Sequence, residues 1–229
     1  MKLKTNLHFH SSEDPYHVIK HSLKEGIDKA ASLKFDVLAI TCHDFFVDTK
    51  DLENYAKEKG ILLIPGIEIG IERGRVSKEG RHLLVLGCEK DAEKIYDFSD
   101  LRQYKKEHPE ILVVAPHPYF YGNISLKDYL EKNIDTIDAI ELSWFYSKIF
   151  NRNKKAENTA KKFNKPIIAT SDTHFFDYMD RSFAFVETEE KTQKSVFEAI
   201  RKNKIENTTS PVNSIKDMLI RQCAFTIAD

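Results

Sequence analysis

Histidines stand beside acids, or beside one another, at the ends of short apolar runs in this 229-residue chain. The first run closes in Asn6-Leu7-His8-Phe9-His10. Side chains on a strand alternate faces, so His8 and His10 share one face and Phe9 takes the other. Two imidazoles on one face supply half of a first-row metal site, with a chance pair as the competing reading. Glu13 and Asp14 follow within a turn, as acids in surface loops also do. The next run, 37–41, delivers Cys42-His43-Asp44; the run 61–64 passes through Pro65-Gly66 and delivers Glu68 between Ile67 and Ile69. An acid framed by apolar neighbours is costly to bury unpaired, so Glu68 either turns to solvent or meets a cation. The run 111–115 delivers Pro116-His117-Pro118, where two prolines restrict the backbone around one histidine. The run 167–170 delivers Ser171-Asp172-Thr173-His174, which again puts two ligand-type side chains on one face. His82 differs, because it opens the run 83–86 instead of closing it. Either that strand runs antiparallel or His82 is a bystander; the spacing does not choose.

A lone histidine at a strand end is more often a hydrogen-bonded structural residue than a ligand. Repetition at four strand ends changes that reading. Barrel enzymes gather their working groups from the C-terminal ends of different strands, so these residues predict a polynuclear site for Zn, Mn or Fe. His17 and His21, four apart on an expected helix, share its polar side with Lys24 and Asp28 and read as surface residues. His108, before Pro109, reads as a helix end. Tyr119, Phe120, Tyr121, Trp144, Phe145 and Tyr146 follow strand ends and read as core packing in preference to a pocket wall.

The elements that must position these groups alternate along the chain. Strands are expected at 3–8, 37–41, 61–64, 83–86, 111–115, 139–142 and 167–170. Helices are expected at 16–33, 50–59, 101–107, 126–132, 154–163 and 192–202. In the first of these helices Ile19, Leu23, Ile27 and Ala30 form a core-facing stripe. Alternating strands and helices indicate an α/β fold with a parallel sheet. Seven strands without a nucleotide-binding glycine loop favour a TIM-like barrel over a doubly wound sheet. One domain over 1–229 is expected, with a less regular tail from 205 to 229 and a mobile polar loop at 71–81. With 35 basic and 36 acidic residues, no global field draws the chain onto nucleic acid. No apolar run is long enough to span a bilayer or to resemble a secretion signal. Cys42, Cys88 and Cys223 are odd in number and show no CxxC spacing. Together these predict a cytoplasmic protein with reduced thiols.

In this order the motifs resemble the PHP family, named for polymerase and histidinol phosphatase domains. The resemblance rests on Asn6-Leu7-His8-Phe9-His10-Ser11, Ile40-Thr41-Cys42-His43-Asp44 and Gly66-Ile67-Glu68-Ile69. It continues through His82-Leu83-Leu84-Val85-Leu86-Gly87, Ala115-Pro116-His117-Pro118 and Ser171-Asp172-Thr173-His174, and the segment 195–211 resembles the family's closing helix and tail. It implies a distorted seven-stranded (β/α)7 barrel with two or three divalent metal ions. His8, His10, Glu68 and Asp172 would hold one ion, and Glu68 would bridge to a second on His82 and His117. A third would sit on His43, His174 and Asp14, with Glu13 as the competing acid. The family usually has Asp where Asn6 and Cys42 stand, changes read as lying beside the ligands.

The resemblance further implies hydrolysis of a phosphate ester of a small metabolite by a metal-bridged hydroxide, with Glu68, Asp172 and His174 at the reacting centre. Arg181 is the first candidate to grip the phosphate, then Lys148 and Arg152, each against the reading of a solvated charge. Asp44 either orients a water or a ligand, or caps the next segment. A nuclease acting on nucleic-acid ends and a non-catalytic scaffold subunit are the alternatives, and neither nucleic acid nor membrane is a favoured partner.

Overall fold

The computed structural model describes residues 1–73, 80–120 and 122–212. The chain begins with β1 (Lys2–Phe9), α1 (Leu23–Ser32), β2 (Val37–Ile40), α2 (Lys50–Glu58) and β3 (Leu62–Ile64). An antiparallel pair follows, β4 (Gly66–Ile71) and β5 (Arg81–Leu86). Alternation then resumes with α3 (Phe98–Glu107), β6 (Leu112–Ala115), α4 (Asp128–Lys132), β7 (Ala139–Ser143), α5 (Asn153–Lys162) and β8 (Ile167–Thr170). The described chain closes with β9 (Ser182–Glu187), α6 (Gln193–Arg201) and β10 (Ile205–Thr209).

These strands do not form the expected seven-stranded (β/α)7 barrel. They make two mixed five-stranded sheets, ordered β10-β9-β1-β2-β3 and β4-β5-β6-β7-β8. The parallel ladders that the alternation predicts are present: β1-β2-β3 in one sheet and β6-β7-β8 in the other. Closure fails at the strands the sequence reading lacked. Pro65, without an N–H to give to a ladder, separates β3 from β4, and β4 pairs antiparallel with β5 instead of extending the first sheet. At the other edge β9 runs antiparallel to both β1 and β10. The sheets touch through isolated bridges, His43 to Glu68 and Phe9 to Thr173.

Helices α1 and α3 pack outside, and a shared apolar layer, to which α6 adds Val196, Phe197, Ala199 and Ile200, lies between the sheets. Leu3, Leu7, Val37 and Ala39 of the first sheet meet Leu84, Leu86, Leu112, Val114, Ala139 and Ile168 of the second. On the outer faces, Ile67, Ile69, Leu83, Val85 and Val113 pack with Leu101 and Tyr104 of α3, while Leu38 and Ile40 pack with Leu23 and Ile27 of α1. The inward side chains of β4 and β5 are therefore Glu68, His82, Leu84 and Leu86, with polar groups gathered at one end of the apolar layer.

Three local expectations change. The first helix starts at Leu23, seven residues later than predicted, because Ser22 and Glu25 form a capping box that fixes its N-terminus. The start of the expected irregular tail is the ordered strand β10, paired along β9; residues 213–229 lie outside the described residues. Of the expected mobile loop, 74–79 also lie outside them, as does Tyr121. Among the described residues no helix is long and apolar enough to cross a membrane.

Candidate metal centre

Strand ends from both sheets deliver the polar cluster. In β1, Leu3 and Leu7 face the layer between the sheets, so simple alternation would turn His8 and His10 outward toward α1. A register shift between Asn6 and Phe9 prevents this: Phe9 packs outward with Leu23 and Ile27, and the two histidines turn inward. Bulges often re-aim side chains beside functional sites in this way. β5 runs antiparallel to β4 and β6, so its first residues, not its last, lie at the cluster, which accounts for His82. Asp44, His117 and Asp172 follow β2, β6 and β8 with φ of 49°, 28° and 44°. Non-glycine residues rarely hold such angles, and strain of this kind concentrates at functional sites.

Glu68 is the hub. Its side chain is 1% exposed, and five imidazole nitrogens surround its two oxygens. Oε2 lies 3.0 Å from His8 Nε2, 3.2 Å from His10 Nε2 and 3.1 Å from His43 Nε2; Oε1 lies 2.8 Å from His82 Nδ1 and 3.2 Å from His117 Nε2. Asp172 Oδ1 adds a second carboxylate 3.3 Å from both His8 and His10 Nε2. Among the described residues, three groups have mutually close donor atoms: His8, His10, Glu68 and Asp172; His43, Glu68 and His82; and His10, His43 and His174.

The donor set fits divalent cations. Among the described residues, His10 Nε2, His82 Nδ1 and Asp172 Oδ1 are buried without a hydrogen-bond partner. Buried polar atoms are rarely left so, and these converge on one place. His10 Nε2 and His82 Nδ1 approach carboxylate oxygens closely but not in hydrogen-bonding directions. Ligand atoms arranged around a shared ion have that relation, since a tetrahedral shell of ~2.0–2.1 Å bonds separates its members by about 3.3 Å.

Burial and charge pull the titrations apart. Burial disfavours the charged form of His8, but Asp172, Glu68 and Glu141 outweigh it and raise the pKa to about 10. His10 is likewise raised well above the usual value against its burial, through its hydrogen bond to Asp14 and the nearby carboxylates of Asp172 and Glu68. Burial wins at His43, lowered to about 3, and at His174, lowered to about 4, where the charge on His10 adds to it. Glu68 and Asp172 sit well below the carboxylate range despite burial, because the surrounding imidazoles favour their ionised forms.

Of the other candidates, Asp14 stands at the rear of this cluster. Asp14 belongs to none of the three groups: its Oδ2 contacts Nδ1 of His10 at 2.9 Å and of His43 at 2.7 Å, behind the nitrogens that face Glu68. Glu13 is exposed. Arg181 is half-buried just before β9, its main chain tied to Tyr178 and Ser210. Lys148 is exposed, and Arg152 donates to the Tyr119 carbonyl. Asn6 donates to Thr173 and accepts from the His8 N–H. The Cys42 thiol lies 3.5 Å from Ser11 Oγ, and burial pushes its pKa to about 11. Asp44 does not cap a helix; it accepts from Gly70 N–H and pairs with Arg73 at 2.6 Å. Tyr119 and Trp144 are core residues, whereas half-buried Phe120 and Phe145 meet edge-on beside His117.

The sequence reading missed three residues. Neither His17 nor His21 is a surface helix residue, because the helix has not yet begun there. His17 meets the rings of His43 and His174 edge-on at 4.8 and 4.9 Å, and Asp14 accepts its main-chain N–H; His21 is buried against the His10 carbonyl at 2.9 Å. The Ser22-to-Glu25 capping spacing was the signal. The third is Glu141, fully buried in β7 against His8. It carries the same signal as Glu68, an acid between apolar neighbours.

Comparison with known proteins follows the geometry. Residues 150–205, which include Asp172 and His174, match the PHP-associated family PHP_C. No curated protein matches the sequence. Among solved structures, a two-domain protein from Bacteroides vulgatus containing a predicted PHP-like metal-dependent phosphoesterase shares the fold with a TM-score of 0.68 and 20% identity, over 100% of this chain and 70% of that one. PsfC from Pseudomonas syringae gives a TM-score of 0.65 at 14% identity, over 99% and 98% of the two chains. The lesion-specific endonuclease EndoQ from Pyrococcus furiosus gives 0.64 at 15%, over 91% of this chain but 59% of that one.

Proposed function

We propose, from the PHP-family placement that the matched segment and the shared fold support, that this chain is a metal-dependent hydrolase of phosphate esters whose substrate is a small phosphorylated metabolite. The observation that carries the reading is the ring of five imidazoles around one buried carboxylate, with Asp172 closing it. Divalent ions bound there would supply Lewis acidity and lower the pKa of a coordinated water.

The chain's own groups account for the rest. Glu68 offers Oε2 and Oε1 to different histidines, so one carboxylate serves two adjoining groups. His8, His10, Glu68 and Asp172 form one set, as the resemblance implies. His43 joins Glu68 and His82 in the second, with His117 at 3.2 Å from the same Oε1. His10, His43 and His174 form the third. Asp14 steadies all three sets from behind by holding His10, of the first and third, and His43, of the second and third, at Nδ1. Arg181 is the proposed cationic grip on the phosphate. A near-balanced charge supports a small substrate over a polyanion, whose binding relies on many cationic contacts.

The test is metal analysis followed by a panel of sugar phosphates, mononucleotides and short oligonucleotides with Mn, Zn and Fe, beside a Glu68→Gln control. Turnover of small esters that vanishes in the control supports the reading. Cleavage confined to oligonucleotides would replace the substrate, as the fold shared with EndoQ makes worth testing. A chain that holds no transition metal and stays inert would make it a scaffold.

A further inference from the structure

Glu141 is wholly buried on β7 and belongs to none of the three metal groups. Its carboxylate is nevertheless engaged on both oxygens. Oε2 lies 2.8 Å from His8 Nδ1 and accepts the Thr170 hydroxyl at 2.8 Å; Oε1 accepts the His117 main-chain N–H at 3.1 Å. The His117 carbonyl is held in turn by Ser125 Oγ at 2.8 Å, so both main-chain polar groups of this residue are pinned at its unusual φ of 28°. Thr170 and the His117 amide are donors, which leaves Glu141 as acceptor and casts His8 Nδ1 as a third donor.

We propose that Glu141 is a positioning residue for the metal centre: it holds His8 in the Nδ1–H tautomer, aiming the Nε2 lone pair at the space shared with Glu68 and Asp172, and fixes the backbone that carries His117. His8 Nε2 stands 3.0 Å from Glu68 Oε2 and 3.3 Å from Asp172 Oδ1, the side where a ligand nitrogen must be unprotonated. Partners of this kind set the tautomer and orientation of metal-binding histidines. A glutamine at 141 keeps the size but places an amide N–H among donors. Its easiest accommodation is the opposite His8 tautomer, with Nε2–H turned toward the ion.

The inference rests on the metal-site reading above, and one experiment separates the two. Wild type and Glu141→Gln are stripped, reloaded with Co²⁺ and titrated against a competing chelator, with the visible spectrum recorded. Loss of a partner of this type typically costs about 10–100-fold in metal affinity. We expect a loss in that range, an altered Co²⁺ spectrum, and a kcat that falls more than KM rises. Equal affinity and an identical spectrum would overturn the proposal while leaving the metal site standing; a wild type that takes up no metal would overturn both. Should the variant not fold, nitrogen-15 NMR of the metal-loaded wild type decides, with a proton on His8 Nδ1 expected and one on Nε2 contrary.

Discussion

A single carboxylate inside five imidazoles makes Glu68 the side chain on which the cluster depends. In Glu68→Gln one acceptor oxygen becomes an amide N–H facing histidine nitrogens. The expected result is loss of tightly held metal and of turnover, with far-UV circular dichroism retained; full turnover would remove Glu68 from the centre. The raised pKa values of His8 and His10 give a second test. His8 is raised to about 10, so without metal its ring holds both protons near pH 7, and His10 shifts in the same direction; an ion must displace the proton from a nitrogen it takes. Calorimetry of metal uptake in buffers of different ionisation enthalpy should show proton release near pH 7. Heats that do not depend on the buffer would contradict it.

Elements matter through the way they aim these residues. The irregularity in β1 turns His8 and His10 inward by sending Phe9 out against α1. There Phe9 fills the space over Gly26, where an added Cβ would stand 2.3 Å from the ring's Cζ. Gly26→Ala should therefore destabilise by about 1–3 kcal/mol through overpacking and weaken metal binding, since the displaced ring lies between two cluster histidines. Urea unfolding with chelator competition checks both, and a variant with wild-type values would show that β1 is not held from this side. Ser22→Ala tests the helix boundary: losing the cap should cost about 0.5–2 kcal/mol. The same boundary explains a misreading, because apolar spacing carried the helix back over His17 and His21 although the capping pair lay later. Strand existence was legible from runs of β-branched and apolar residues at all seven expected places. β4, β9 and β10 were not: the third strand was bounded at 61–64, no strand was assigned to 182–187, and β10 falls in what read as an irregular tail.

At the scale of the whole molecule, two sheets contribute to one cluster, so metal binding and folding are linked. A ligand bound to the folded chain stabilises it by an amount that grows with the ratio of concentration to Kd. Chelation should lower Tm and Mn or Zn should restore it; an unchanged Tm would mean that no ion ties the sheets together. The metal-free chain should also lose stability in acid. His43 and His174 titrate in the folded chain at about 3 and 4, below the 6.5 of an unfolded histidine, so the unfolded chain takes up protons first. Their contribution is complete above about pH 6.5 and falls as the pH drops toward 4 and 3, whereas that of His8 is complete below about 6.5 and fades as the pH rises through about 10. Urea midpoints of the stripped chain across this range check the sign, and stability rising steadily into acid would refute it.

The donor types were written in the chain: strand-end placement and spacing singled out His8, His10, His43, Glu68, His117, Asp172 and His174 as candidate ligands, because residue type and spacing are local properties. Which nitrogen faces inward, which acids stand behind, and whether the sheet closes were settled only by tertiary structure. Asp14 and Glu141 meet histidines brought by other strands, His82 joins because β5 reverses, and the barrel gives way to two sheets because pairing partners far apart in sequence leave no periodic trace.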